Sequence, residues 1–359
     1  MAFLTRHRPR TVTAAAAVAT SLVGAVSLSA CGGDGGAAAG ESPATETTQV
    51  DGTSDEASDG AADSLTLITD VPDDEVSDGF VERIVYPVAD GASDPTENWA
   101  DLYLPSGTDG GTDTEQADST VPLVVYIQGT GWNGGAHGAR HVASDLASRG
   151  VAVINIEYRG VKEGAGWPKT FEDVAAALDY VPTIGEHHPQ IRVEDSTVVG
   201  HSAGGQLATW AASRGDLADD EVGAHPRFSP TRVVSLAGPL DLIWAAENGD
   251  DNIVKAMDAT PDELPKAYDS IDPIRNINPD VAVVAVHGTD DTLVPQENSE
   301  HYVEAARDAG GSAELVLFRG ADHLSFLKSS SPHYDRLLRI IHGSATLPHD
   351  DLDGDQFTS

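Results

Sequence analysis

The sequence predicts an α/β fold: a mostly parallel central sheet with helices on both faces and a small lid. Three observations carry this. Strand-like and helix-like segments alternate from about Val81 to His342, the pattern of a doubly covered parallel sheet. Val121–Gln128 is an almost continuous apolar run, as a strand buried on both faces requires. Ser196-Thr197-Val198-Val199 leads into Gly200-His201-Ser202-Ala203-Gly204 and then an Ala/Leu-rich stretch, which reads as strand, sharp turn and helix with a serine at the apex.

The glycines belong to that turn, because side chains at Gly200 and Gly204 would collide with adjacent backbone. Ser202 is thereby expected in a strained conformation, its hydroxyl exposed beside a helix N-terminus whose unpaired N–H groups suit a developing oxyanion. Taken in order, Val81–Tyr86 and Trp99–Leu104 are expected as an antiparallel edge pair ahead of Val121–Gln128. A helix near Arg140–Arg149, a strand Val151–Glu157 and a helix Thr170–Val181 follow. After the Ser202 unit come a strand Arg232–Ala237 and an irregular to helical segment from Leu240 to about Tyr268, the place for the lid. Strand Val281–Val286, helix Asn298–Ala309, strand Ala313–Phe318 and helix Ser325–His342 complete the set.

The 359 residues divide by composition. Arg6, Arg8 and Arg10 precede an apolar run, Ala14 to Leu28, that is short for a membrane span. Leu28-Ser29-Ala30-Cys31-Gly32 resembles the lipobox of bacterial lipoproteins, and Cys31 is the only cysteine. The resemblance implies a signal peptide over 1–30, lipidation of Cys31 and an extracytoplasmic, membrane-anchored protein. Residues 31–64 are rich in Gly, Ala, Ser, Thr and acids and read as a flexible acidic linker. The folded domain is expected over 65–345, interrupted by an acidic surface loop Ser106–Thr120, with an acidic tail over 346–359. The tail's Asp-Asp-Leu-Asp-Gly-Asp lacks the spacing and closing Glu of a calcium loop. The formal charge of −37 repels nucleic acid and anionic membrane surfaces, which argues against both as partners beyond the anchor itself.

A nucleophilic Ser202 needs a base, an orienting acid and an oxyanion site, each just beyond a strand. Strand Val281–Val286 runs into His287-Gly288-Thr289-Asp290-Asp291, and Ala313–Phe318 into Arg319-Gly320-Ala321-Asp322-His323. Val121–Ile127 runs into the glycine-rich Gln128-Gly129-Thr130-Gly131-Trp132-Asn133-Gly134-Gly135, which can turn N–H groups inward. Three strand ends thus offer an acid, a histidine and oxyanion donors.

Together these motifs resemble those of the α/β-hydrolases of the esterase/lipase type. The resemblance rests on G-H-S-A-G-G at Gly200–Gly205, H-G-x-x-D-x-x-V-P at His287–Pro295, G-A-D-H at Gly320–His323, and Tyr158-Arg159 followed by Trp167-Pro168 and Asp173. It implies Ser202 as nucleophile, Asp291 rather than Asp290 as acid, and His323 as base. It also implies an oxyanion site from Ala203 and the Gly129–Gly131 stretch, with Gly129 and Thr130 as donors. Two departures stand out: Gln128 takes the place of a usual His, and Thr130 that of a usual Gly. The β-branched Thr130 narrows the backbone there.

The remaining polar residues have plainer readings. His201 packs the turn, Asp241 caps a helix, and Asp173 is structural. His301, His333 and His342 fall in helices or at their ends, and His187, His188 and His225 lack metal-ligand spacing. Trp132, Trp167 and Trp244 are expected to pack, although loops carrying Trp would suit an acyl or aryl pocket. The expected activity is hydrolysis of small carboxylic esters through an acyl-enzyme, with no metal or organic cofactor. Amide or peptide hydrolysis by the same fold, as in formamidases and exopeptidases, is the enzymatic alternative. A non-catalytic binding lipoprotein is the other, which has no need of all three of Ser202, Asp291 and His323.

Overall fold

Ten strands form one sheet in the order β1-β2-β3-β4-β6-β5-β7-β8-β9-β10. The computed structural model describes the backbone of residues 47–50 and residues 64–91, 93–107 and 120–347. All of these fall in one unit, Thr45–Ser359. The expected signal peptide, Cys31, nearly all of the linker, most of the acidic loop and residues 348–359 of the tail lie outside the described residues.

The antiparallel flank comprises β1 (Thr47–Val50), β2 (Leu65–Ile68), β3 (Phe80–Val85) and β4 (Trp99–Tyr103). The pair expected at the sheet's edge is therefore covered by two further strands. Leu65 and Ile68 of β2 are buried, and β1 pairs antiparallel with β2 at the edge of the sheet. Residues 47–50 lie within the stretch expected to be a tether; their pairing with β2 corrects that reading.

β4 pairs antiparallel with β6 (Ala152–Ile156), and the sheet is parallel from there on. β5 (Val121–Gln128) lies between β6 and β7 (Ile191–His201), followed by β8 (Arg232–Leu236), β9 (Ala282–Gly288) and β10 (Ala313–Phe318). Both faces are covered. On one, Val125, Ile127 and Val198 pack with Phe171, Leu178 and Leu207. On the other, Val124, Val199 and Val234 pack with Leu146, Leu337 and Ile341. Alternate residues of the same strands thus serve opposite cores, which is why these strands are apolar throughout.

The helices are α1 (Arg140–Ala147), α2 (Lys169–His187), α3 (Ala203–Ser213), α4 (Leu242–Glu247), α5 (Asp251–Met257), α6 (Pro265–Ile271), α7 (Glu297–Asp308) and α8 (Tyr334–Thr346). Two differ from expectation. α2 runs through Pro182; the proline sacrifices one backbone bond, but Val181, Thr183 and Ile184 are buried and packing carries the helix on. The last helix is not continuous from Ser325. A short 3-10 turn, Ser325–Leu327, is followed by a break at Ser329-Ser330-Ser331-Pro332 before α8 begins. The residue before a proline avoids the helical region. The lid segment contains α4, α5 and α6. Among the described residues no helix is long and apolar enough to cross a membrane.

Candidate active site

Ser202 sits between β7 and α3 with φ 58° and ψ −126°, a conformation an L-residue holds only where surrounding structure enforces it. A Cβ at Gly200 would lie 1.8 Å from the Gly204 carbonyl oxygen, and one at Gly204 2.0 Å from that of Ile127. Only glycine fits at either position. The Ser202 N–H donates to Leu236 O at 2.8 Å and its carbonyl accepts from the Gly205 N–H at 2.8 Å. The elbow is thus tied to β8 on one side and to the first turn of α3 on the other.

The loops after β9 and β10 meet this serine. His323 Nε2 is 2.9 Å from Ser202 Oγ, and His323 Nδ1 is 2.7 Å from Asp291 Oδ2. These partners set the tautomer: Nδ1–H donates to the carboxylate and Nε2 accepts from the hydroxyl. The other Asp291 oxygen, Oδ1, accepts from the Leu293 and Val294 N–H groups, each at 2.9 Å. Burial opposes ionisation of Asp291, but hydrogen bonds from His287, His323 and the Val294 N–H outweigh it and hold the carboxyl well below the usual carboxylate range. Asp290 is the exposed neighbour; among the described residues its carboxylate accepts only from the Thr289 hydroxyl, at 3.1 Å.

Two further histidines brace the site. Burial, then the neighbouring His323, pushes His201 down to about 3, so the ring is neutral. Its Nε2–H donates to His323 O at 2.9 Å and its Nδ1 accepts from Gln128 Nε2 at 3.2 Å. The residue in place of the usual loop histidine thus supports the histidine of the elbow. His287 is fully buried, donates from Nε2 to Val294 O at 2.8 Å and accepts from the Ser299 hydroxyl at 2.7 Å. Its Nε2 lies 3.5 Å from the Asp291 oxygen that receives His323.

The third loop follows β5. Thr130, Gly131 and Ala203 line a cavity of about 390 Å³ that also exposes Ser202 and His323. The Ala203 N–H opens α3 and has no intrahelical acceptor. Those of Thr130 and Gly131 donate to nothing among the described residues. The Gly129 N–H likewise donates to nothing among the described residues, and the residue packs against the elbow: a Cβ there would lie 2.4 Å from His201 O and 2.5 Å from Ala203 N. Trp132 is buried and donates from Nε1 to Gln206 Oε1 at 3.0 Å. The cavity wall is completed by Gln128, Pro239, Leu293, Val294 and Leu324, and by Asp250 and Asn252 of the lid segment. Leu293 and Leu324 are more than half exposed at its rim.

The other polar residues take the roles read for them. Asp241 caps α4 through the Trp244 N–H and bonds His301. Asp173 is fully buried under Arg159 and Asn98. His333 bonds Arg319 O, His187 bonds Thr183 O, and His188 pairs with Glu82. Trp167 packs edge-on against Phe171, and Trp244 against His301. Among the described residues no group of three or more His, Cys, Asp or Glu is placed to hold a metal ion. Three residues near the site had no distinguishing signal in the sequence: His287 beyond its place in a motif, Asp250, and Glu157, whose carboxylate reaches the loop after β5.

The sheet order, the elbow and three loops converging beyond the carboxyl ends of parallel strands define an α/β-hydrolase. The BD-FAE family model matches residues 101–305, and the chain belongs to that family. It is 25% identical over 246 residues to a probable isoprenylcysteine alpha-carbonyl methylesterase of Oryza sativa, covering 64% of this chain and 56% of the rice protein. It is 26% identical over 214 residues to the uncharacterized protein YfhR of Salmonella typhi, covering 58% and 66% of the two chains. This chain thus spans less than two thirds of either relative. Among solved structures, a truncated carbohydrate esterase from gut microbiota superposes with a TM-score of 0.58 at 22% identity, covering 76% of this chain and 99% of the other. An esterase of Thermogutta terrifontis gives 0.56 at 22%, covering 72% and 89%. At such identities the structural likeness speaks for the fold.

Proposed function

We propose that the protein is a serine hydrolase that cleaves small carboxylic esters through an acyl-enzyme. The observation that carries this reading is the line Ser202 Oγ, His323, Asp291, at 2.9 and 2.7 Å, opening into a cavity. Ser202 Oγ attacks the ester carbonyl while His323 Nε2 takes its proton. The N–H of Ala203 and one or two from the Gly129–Gly131 stretch hold the oxyanion, and one such donor contributes about 3–4 kcal/mol in comparable sites. Collapse expels the alcohol, protonated by His323. Water, deprotonated by the same nitrogen, then hydrolyses the acyl-Ser202 ester and releases the acid. Asp291, held ionised, orients the imidazole and stabilises its charged form. The methylesterase and carbohydrate esterase names among its relatives agree with an ester substrate.

From the Leu28–Gly32 sequence alone we further propose that the enzyme lies outside the cytoplasm, anchored by lipid on Cys31. The hydrolase reading is tested by turnover of a short p-nitrophenyl ester together with fluorophosphonate labelling at Ser202. Absence of both in the folded protein would overturn it.

A further inference from the structure

Five of the six residues from Thr130 to Gly135 have positive φ: Thr130 at 41°, Gly131 at 68°, Trp132 at 59°, Gly134 at 66° and Gly135 at 101°. Two of them are not glycine, and such residues hold left-handed backbone only where the surroundings impose it. Part of the restraint is internal. Thr130 Oγ1 donates to Gly134 O at 2.6 Å, and Asn133 Nδ2 donates to the carbonyls of Thr130 and Gly131. The external restraint is one buried carboxylate. Glu157, just beyond β6, accepts from the Gly135 N–H at 2.7 Å on Oε1 and from the Ala136 N–H at 2.9 Å on Oε2. Oε1 also accepts from the Tyr158 N–H at 3.1 Å. The fit is close enough that a Cβ at Gly134 would lie 1.9 Å from Oε1.

We propose that Glu157 is a positioning residue for ester hydrolysis: its carboxylate pins Gly135 and Ala136 and thereby fixes the left-handed run in which Thr130 and Gly131 line the Ser202 cavity. It touches no substrate and acts only through the loop. Among the described residues no cation pairs with it; three backbone N–H groups bond it. A structural acid needing only burial would be served as well by an apolar residue, whereas both oxygens here are spent on the end of a strained loop. Burial pushes its carboxyl up to about 7 against these three donors, with Glu97 adding repulsion. The other ionisable neighbours are Tyr158 and Tyr86, whose hydroxyl donates to Glu157 O at 2.6 Å, with the Arg159–Asp173 pair beyond Tyr86. His137 on the adjoining turn faces Glu75 instead.

The inference rests on the ester-hydrolase reading, and the experiment separates the two. E157Q keeps one acceptor oxygen and turns an amide N–H₂ toward a backbone donor; E157A keeps neither oxygen. With a p-nitrophenyl ester at pH 8, kcat is expected to fall about tenfold in E157Q and more in E157A, with KM within about twofold, since a donor is misaimed rather than removed. A trifluoromethyl ketone, which forms an oxyanion on Ser202, is expected to lose affinity by the factor lost in kcat/KM. The acid limb of the kcat profile is steeper in the wild type, where Glu157 and the base both protonate, than in E157Q. Unchanged kcat in folded E157Q, or a loss confined to KM or to thermal stability, overturns the proposal. A wild-type protein that neither turns over the ester nor binds the ketone overturns the ester reading itself.

Discussion

Asp291 Oδ2 lies 2.7 Å from His323 Nδ1, while its neighbour Asp290 points to Thr289 and solvent. One residue of register separates an acid that fixes the imidazole from one that does nothing for it. Asp291→Asn is expected to lower kcat by about 10⁴-fold, because an amide facing Nδ1 selects the wrong tautomer. Asp290→Asn should change it by less than twofold. Steady-state kinetics on one ester decides the assignment, and the reverse ranking would transfer the role to Asp290.

Ser202→Ala removes the proposed nucleophile but leaves the cavity and its N–H groups. Fluorophosphonate labelling should vanish, and turnover should fall by several orders of magnitude to the residual rate that oxyanion binding alone supports. Intact-mass measurement after labelling checks it. Label retained on the variant would place the reactive serine elsewhere.

The site was legible in the sequence where chemistry and backbone need coincide in one short stretch. Gly200 and Gly204 announce the elbow because no other residue fits, and His323 follows a strand with nothing else to explain it. Glu157 was not legible. An acid at the end of a strand reads as solvated surface, and its partners Gly135 and Ala136 lie more than twenty residues earlier in the chain. β1 was hidden by composition: Thr47–Val50 sits among Ser, Thr, Asp and Gly and owes its state to pairing with Leu65–Ile68. The course of α2 past Pro182 was likewise decided by the core it meets, not by local preference.

His201 makes stability depend on pH in a definite direction. Its pKa is about 3 in the folded protein and near 6.5 when unfolded. Between those values the unfolded chain binds the extra proton, so stability is lost as pH falls from about 6.5 toward 3. Glu157 and Asp272, both raised to about 7 chiefly by burial, act oppositely and gain stability as pH falls through 7. The comparison that isolates His201 is therefore with His201→Gln. Urea unfolding at pH 7 and pH 4.5 should show a larger acid loss in the wild type than in the variant. Parallel curves would mean that His201 is already charged in the folded state.

Thr130, in the loop after β5, holds a positive φ of 41°. The strain of a β-branched residue there is offset by its hydroxyl, which donates to Gly134 O at 2.6 Å and closes the loop on itself. Thr130→Gly removes strain and hydrogen bond together, so stability should change little. Thr130→Val keeps the branch and the left-handed backbone but leaves the Gly134 carbonyl without its donor, which should cost about 1–2 kcal/mol. Thermal melts of the two variants, read beside kcat, distinguish the contributions. If the bond serves to offset the strain of the branched residue, Val, which keeps the strain and loses the bond, loses both stability and kcat, and Gly, which carries neither, keeps most of each. A valine variant as stable and as fast as the wild type would show that the Glu157 carboxylate and Asn133 hold the loop without help from Thr130.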